Sequence, residues 1–111
     1  MDSIFERIIA TDDIPENKSK AVQAGGQSIL ICHVRGKFYA LQNRCSHAET
    51  TLERARFRGD TIMCPLHGAR FDLATGAVRN PPAVTPICVY PLKIIDGWIY
   101  VSTQAAPLAE T

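Results

Sequence analysis

Two cysteines and two histidines stand in two short boxes, Cys45-Ser46-His47 and Cys64-Pro65-Leu66-His67, with residues 48–63 between them. Thiolate and imidazole together suit soft-to-borderline metals. Four such ligands from two separate stretches can close a tetrahedral zinc site. They can equally hold a [2Fe–2S] unit in which two His replace two Cys on one iron. Spacing alone leaves both open, although Cys-x-His is an unusual half-site for zinc. In the iron–sulfur case each box is too short to spread its Cys and His far apart. Each loop then gives its Cys to an inner iron and its His to an outer one, and the two loops clamp the cluster from opposite sides. Neutral imidazoles leave the cluster less negative than four thiolates would, so it accepts an electron more readily.

The remaining candidates for chemistry have plainer readings. Cys32 lies in the apolar run from Ser28 to Val34, and Cys88 lies between Ile87 and Val89. Both are expected to be small buried hydrophobes, and a Cys32–Cys88 disulfide is disfavoured by the reducing compartment expected below. His33 lies mid-strand with no Cys at ligand spacing and reads as a structural or surface histidine. Trp98 and Tyr100 alternate along a strand and read as core or cross-strand packing. The alternation Arg54, Arg56, Arg58 reads as a solvated strand edge.

The elements that must position the boxes read as strands. Phe5–Ile9 is an expected first strand, followed by a turn at Asp12-Asp13-Ile14-Pro15. Gly25-Gly26 marks another turn. Ser28–Val34, the turn Arg35-Gly36-Lys37 and Phe38–Leu41 form an expected hairpin. Val89–Ile95 and Trp98–Val101 flank Asp96-Gly97, a strong hairpin signal. Between these hairpins, from about residue 43 to residue 84, glycines and Asn80-Pro81-Pro82 break the chain into short turns, and both boxes fall there. The expectation is all-β: an antiparallel β-sandwich framework with an inserted, loop-rich cluster-binding subdomain. The tail from Gln104 to Thr111 is expected to fray.

A chain of 111 residues suits one domain, here 1–111. A net charge of +1 with 21% charged residues argues against electrostatic binding of nucleic acid. The start Met1-Asp2-Ser3-Ile4-Phe5-Glu6-Arg7 has no basic-then-apolar leader, and no apolar run is long enough to cross a bilayer. A cytoplasmic monomer with reduced thiols is expected.

Cys45-Ser46-His47 with Cys64-Pro65-Leu66-His67-Gly68-Ala69-Arg70-Phe71-Asp72 resembles the Rieske proteins, in particular the small Rieske ferredoxins of bacterial aromatic-ring dioxygenases. The likeness extends through Ala40-Leu41-Gln42-Asn43-Arg44, Ala74-Thr75-Gly76, Asn80-Pro81-Pro82-Ala83 and the closing hairpin, about Phe5 to Val101. It implies one [2Fe–2S] cluster per chain, held by Cys45, His47, Cys64 and His67, with the histidine edges as the electron port. It implies a one-electron carrier in aromatic hydrocarbon catabolism, with no catalytic residues of its own. Upstream it implies a flavoprotein NAD(P)H-dependent ferredoxin reductase, and downstream a terminal ring-hydroxylating oxygenase. Ala48, Leu66 and Pro82 would line the docking surface, with Glu49, Glu53, Arg54, Arg56 and Arg58 setting partner choice by charge.

Departures from the high-potential respiratory members carry information too. Their loops each hold an extra Cys, joined as a disulfide, where this chain has Thr50 and Leu66. Their Ser and Tyr donors to cluster sulfur are matched here by Ala69 and Phe71. Donors stabilise the more negative, reduced state, so their loss places the expected potential toward the lower end of the range of roughly −150 to +300 mV. Rival readings are a small Rieske subunit of another oxidoreductase such as nitrite reductase, the Rieske domain of an oxygenase large subunit, and a zinc-stabilised interaction module.

Overall fold

The computed structural model describes residues 5–44, 51–53, 55–65, 69–80 and 86–103. Within these the chain folds into antiparallel sheets whose order follows from one strand. β3, Gln27–Val34, contains Ile29, Leu30, Ile31 and Cys32 with no exposed surface and Val34 at 2%. Successive side chains of a strand point to opposite faces, so an unbroken apolar run requires a core on each side. That is what is found. Leu30, Cys32 and Val34 enter one core with Leu52, Ile62, Phe71 and Leu73. Ile29 and Ile31 enter another with Ile9, Ile14, Ile99 and Val101.

The sheet holding β3 is therefore a middle layer. It consists of β2 (Lys18–Ala24), β3, β4 (Lys37–Gln42) and β9 (Val89–Tyr90), in that spatial order. On one face packs a three-stranded sheet of β1 (Glu6–Ala10), β11 (Trp98–Val101) and β10 (Leu92–Ile95). On the other face packs a four-stranded meander of β5 (Arg56–Arg58), β6 (Thr61–Met63), β7 (Arg70–Asp72) and β8 (Val78–Asn80). A 3₁₀ turn over Thr11–Asp13 follows β1, where a turn was expected.

The expected hairpins are present. Asp96 and Gly97 take φ of 52° and 80°, the left-handed pair that joins β10 to β11 in a two-residue turn. Arg35-Gly36 joins β3 to β4 in the same way.

Three features differ from expectation. First, β2 was not foreseen. Lys18, Lys20 and Gln23 mask a strand whose partner is the buried β3, registered from Lys18↔His33 to Ala24↔Gln27. Secondly, Val89–Ile95 is not one strand. It breaks at Pro91, which cannot donate to a ladder, and β9 pairs with β4 whereas β10 pairs with β11. The Pro91 carbonyl still accepts the Ser102 N–H at 3.1 Å, so the chain changes sheets without wasting that group. Thirdly, the insertion is more regular than loops alone, because β5 to β8 pair in sequence.

Candidate metal centre

The meander positions the second box. Cys64 follows directly on β6 and is 2% exposed, in the core shared by the meander and the middle sheet. Its N–H donates to the Ala69 carbonyl at 2.7 Å, one step beyond the Met63↔Arg70 pair. The β6–β7 ladder thus holds both ends of the segment bearing Cys64 and His67. Ala69 and Phe71 have no exposed surface, and neither side chain carries a polar group. Cys64 is not in a disulfide. A buried, unpaired thiol at the mouth of a hairpin, walled by hydrocarbon, fits a thiolate that gives its charge to a metal rather than to water. The first box, Cys45 and His47, lies outside the described residues, as do His67, Ala48, Glu49, Thr50, Arg54, Leu66 and Pro82.

The flanks of the first box are described. Asn43, two residues before Cys45, is buried at 5% exposure. It joins the end of β4 to Leu52, which follows the box on the far side. An open cleft of about 540 Å³ lies where Asn43, Arg44, Thr51 and Cys88 meet. A third segment, 86–88, returns to the same region. Its Ile87 N–H donates to the Gly76 carbonyl at 3.0 Å. Gly76 has φ of +79°, and a Cβ there would run into the Ile87 carbonyl oxygen. Glycine is required at that point on both grounds.

Asp72, whose role was not readable from the sequence, shapes the turn from β7 to β8. Its Oδ1 accepts the N–H groups of Ala74 (2.9 Å) and Thr75 (3.1 Å), and its Oδ2 faces the Arg79 guanidinium at 3.0 Å. This is an Asx turn closed by an ion pair. The Asp-x-x-Thr-Gly pattern was the available signal.

Both ring nitrogens of His33 are engaged: Nδ1 donates to the Ile14 carbonyl (2.8 Å) and Nε2 faces the Glu16 carboxylate (3.2 Å). Its ring stacks on Phe38 at 4.0 Å. His33 is structural, as expected. Cys32 is fully buried and burial pushes its thiol up. Cys88 departs from expectation. It is only half-buried, because its neighbours Ile87 and Val89 take the inward positions and alternation turns it toward the cleft. Neither Cys32 nor Cys88 is in a disulfide. Trp98 is 39% exposed rather than core, packed across strands under the Arg7 guanidinium at 4.6 Å. Arg56 and Arg58 are exposed on the edge strand β5, as expected.

The model of the Rieske [2Fe-2S] domain family matches residues 5–91. The chain belongs to that family. This Rieske domain is 34% identical over 105 residues to the biphenyl dioxygenase ferredoxin subunit of Pseudomonas sp. (strain KKS102), covering 94% of this chain and 96% of that one. It superposes on the ferredoxin of carbazole 1,9a-dioxygenase from Nocardioides aromaticivorans IC177 with TM-score 0.84 and 31% identity, covering 90% of this chain and 98% of the other. It is also similar to a chain in the complex of reduced oxygenase and oxidized ferredoxin in carbazole 1,9a-dioxygenase, with TM-score 0.85 and 26% identity over 95% of this chain and 98% of that one. The antiparallel β fold and the Rieske-type [2Fe–2S] cofactor follow from the family, and the zinc reading falls. These relatives are ferredoxin subunits rather than catalytic oxygenases. Among the described residues no helix is long and apolar enough to cross a membrane.

Proposed function

We propose that this Rieske domain carries single electrons from a flavoprotein NAD(P)H-dependent reductase to a terminal ring-hydroxylating oxygenase, as one domain over 1–111 with its cluster-binding part at about 43–84. The ligands are Cys45, His47, Cys64 and His67. The observation that supports this most directly is Cys64, a buried free thiol closed onto Ala69 at the position of the second family box. The bound cluster supplies a one-electron couple. The chain's own residues keep water from it and set its potential. Ile62, Ala69 and Phe71 present hydrocarbon beside Cys64 and offer no hydroxyl to cluster sulfur. The oxidised state is favoured accordingly, and the potential lies low in the Rieske range. The oxygenase partner rests on the ferredoxin–oxygenase complex of the carbazole relative. Transfer through the ligand imidazoles suits a small, short-lived interface, and the protein acts as a cytoplasmic monomer.

The test is an EPR spectrum of the dithionite-reduced protein, with iron, zinc and sulfide measured on the same sample. A rhombic signal averaging below that of all-Cys ferredoxins, with equal iron and sulfide, is expected. A silent sample with bound zinc would overturn the reading.

A further inference from the structure

Two consecutive side-chain amides, Gln42 and Asn43, stand where β4 ends and the first ligand segment begins. Their side chains tie together stretches of backbone distant in sequence. Asn43 Oδ1 accepts the Leu52 N–H at 3.0 Å, while its Nδ2 donates to Ser28 Oγ at 3.0 Å. Its own N–H donates to the Ser28 carbonyl at 3.2 Å. Gln42 works toward another set. Its Nε2 donates to the Arg44 carbonyl at 3.1 Å, and its Oε1 accepts the Cys88 N–H at 2.6 Å. Its backbone N–H donates to the Cys88 carbonyl at 2.9 Å. One strand end therefore holds the entry to the first box at Arg44, its exit at Leu52, and the return segment at Cys88.

We propose that Gln42 and Asn43 are positioning residues for the metal centre, fixing the entry and exit of the segment that bears Cys45 and His47 against the wall formed by 86–88. The inference rests on the proposed ligand set. Both residues use both ends of a carboxamide, one accepting from a backbone N–H and the other donating to an oxygen. A hydrocarbon of the same size does neither, and it strands the N–H of Leu52, a residue with no exposed surface. A buried donor recovers its loss by moving. Leu52 can move only by shifting the exit of the ligand segment. Groups that orient metal ligands typically contribute about 10–100-fold to metal affinity. A neutral amide also performs this task without placing a charge beside the cluster. Gln42 and Asn43 line one cleft with Thr51 and Cys88.

The test compares cluster-loaded wild type with Asn43→Leu and Asn43→Asp, reading the EPR line shape and the rate of iron loss to a chelator. Asp keeps the acceptor for Leu52, and the Ser28 hydroxyl can reverse to donate to its second oxygen. Asn43→Leu is expected to shift the rhombic signal and to lose iron about tenfold faster. Asn43→Asp is expected to keep the wild-type line shape and rate while its added charge lowers the potential. A folded Leu variant with wild-type signal and rate would overturn the inference, as would equal defects in the two variants. Should Asn43→Leu not fold, Ser28→Ala at an exposed position removes only the Nδ2 acceptor. A rate increase of about threefold is expected there, and none would overturn the inference. A wild type without iron would overturn the ligand assignment and the inference with it. A loaded wild type with unchanged variants would overturn the inference alone.

Discussion

Replacing Gly76 by alanine measures how firmly the 86–88 wall is held. Gly76 and Gly97 share one backbone conformation, φ +79° and +80°. They differ in surroundings. A Cβ on Gly97 meets nothing within 4 Å, whereas one on Gly76 would run into the Ile87 carbonyl oxygen and lie 3.3 Å from Val89 Cγ1. Ile87 cannot swing aside freely, since its N–H is bonded to the Gly76 carbonyl and its side chain is fully buried. The left-handed conformation costs an L-residue about 1–2 kcal/mol. Overpacking adds about 1–3 kcal/mol at Gly76 alone. Gly97→Ala should therefore lose about 1–2 kcal/mol and Gly76→Ala about 2–5 kcal/mol, out of a total of about 5–15 kcal/mol. At roughly 4 °C per kcal/mol, the midpoint falls by roughly 4–8 °C in the first variant and roughly 8–20 °C in the second. Both loaded variants would be heated at one scan rate, following visible absorbance and far-UV CD. A bound cofactor breaks two-state behaviour, so the comparison is between midpoints. Equal midpoints would refute the reasoning, leaving Gly76 needed for its φ alone and the wall free to yield.

Ala69→Ser and Phe71→Tyr each introduce a hydroxyl beside Cys64 and should raise the reduction potential; a tenfold preference for the reduced state is about 59 mV, and a redox titration with no rise in either variant counts against the donor argument. Burial pushes the Cys32 thiol up from its ordinary 9.0, so above that pH the unfolded chain releases a proton that the folded chain keeps. The wild type should hold its full margin over Cys32→Ala below about pH 9 and lose up to about 1.4 kcal/mol per pH unit above it. Denaturation midpoints whose separation stays constant into alkaline pH would sink that account. Removing iron should expose amides of the core around Cys64, such as Leu52 and Phe71, before those of Ile31 and Ile99 in the other core. Hydrogen exchange that accelerates uniformly would show instead that the layers unfold together.

What was legible in the sequence was whatever depended on near neighbours. Asp96-Gly97 and Arg35-Gly36 announce their turns because a left-handed pair is a local demand. Cys64 is recognisable because its box is contiguous. The misses share the opposite cause. β2 exists because β3 offers it a ladder, which its own Lys18 and Lys20 conceal. β5 to β8 are too short, at three residues each, for any period to show. Pro91 divides a strand between two sheets, and only the partners reveal it. Asn43 and Gln42 looked like polar residues leading into a box. Their partners Ser28, Leu52 and Cys88 lie 9 to 46 residues away, beyond any local pattern.

The two-sided burial of β3 divides its residues between separate obligations. Ile29 and Ile31 answer to the sheet that closes the molecule at its ends, while Leu30, Cys32 and Val34 answer to the layer that holds Cys64. Inserting or deleting one residue in this strand would exchange the two sets and spoil both cores at once. Point changes behave differently. An odd-numbered position can drift with the β1–β11–β10 sheet without consulting the Cys64 side, and an even-numbered one can retune the surroundings of Cys64 without disturbing that sheet. Descendants of this chain should therefore accumulate substitutions along β3 in two interleaved, independent series while its length stays fixed.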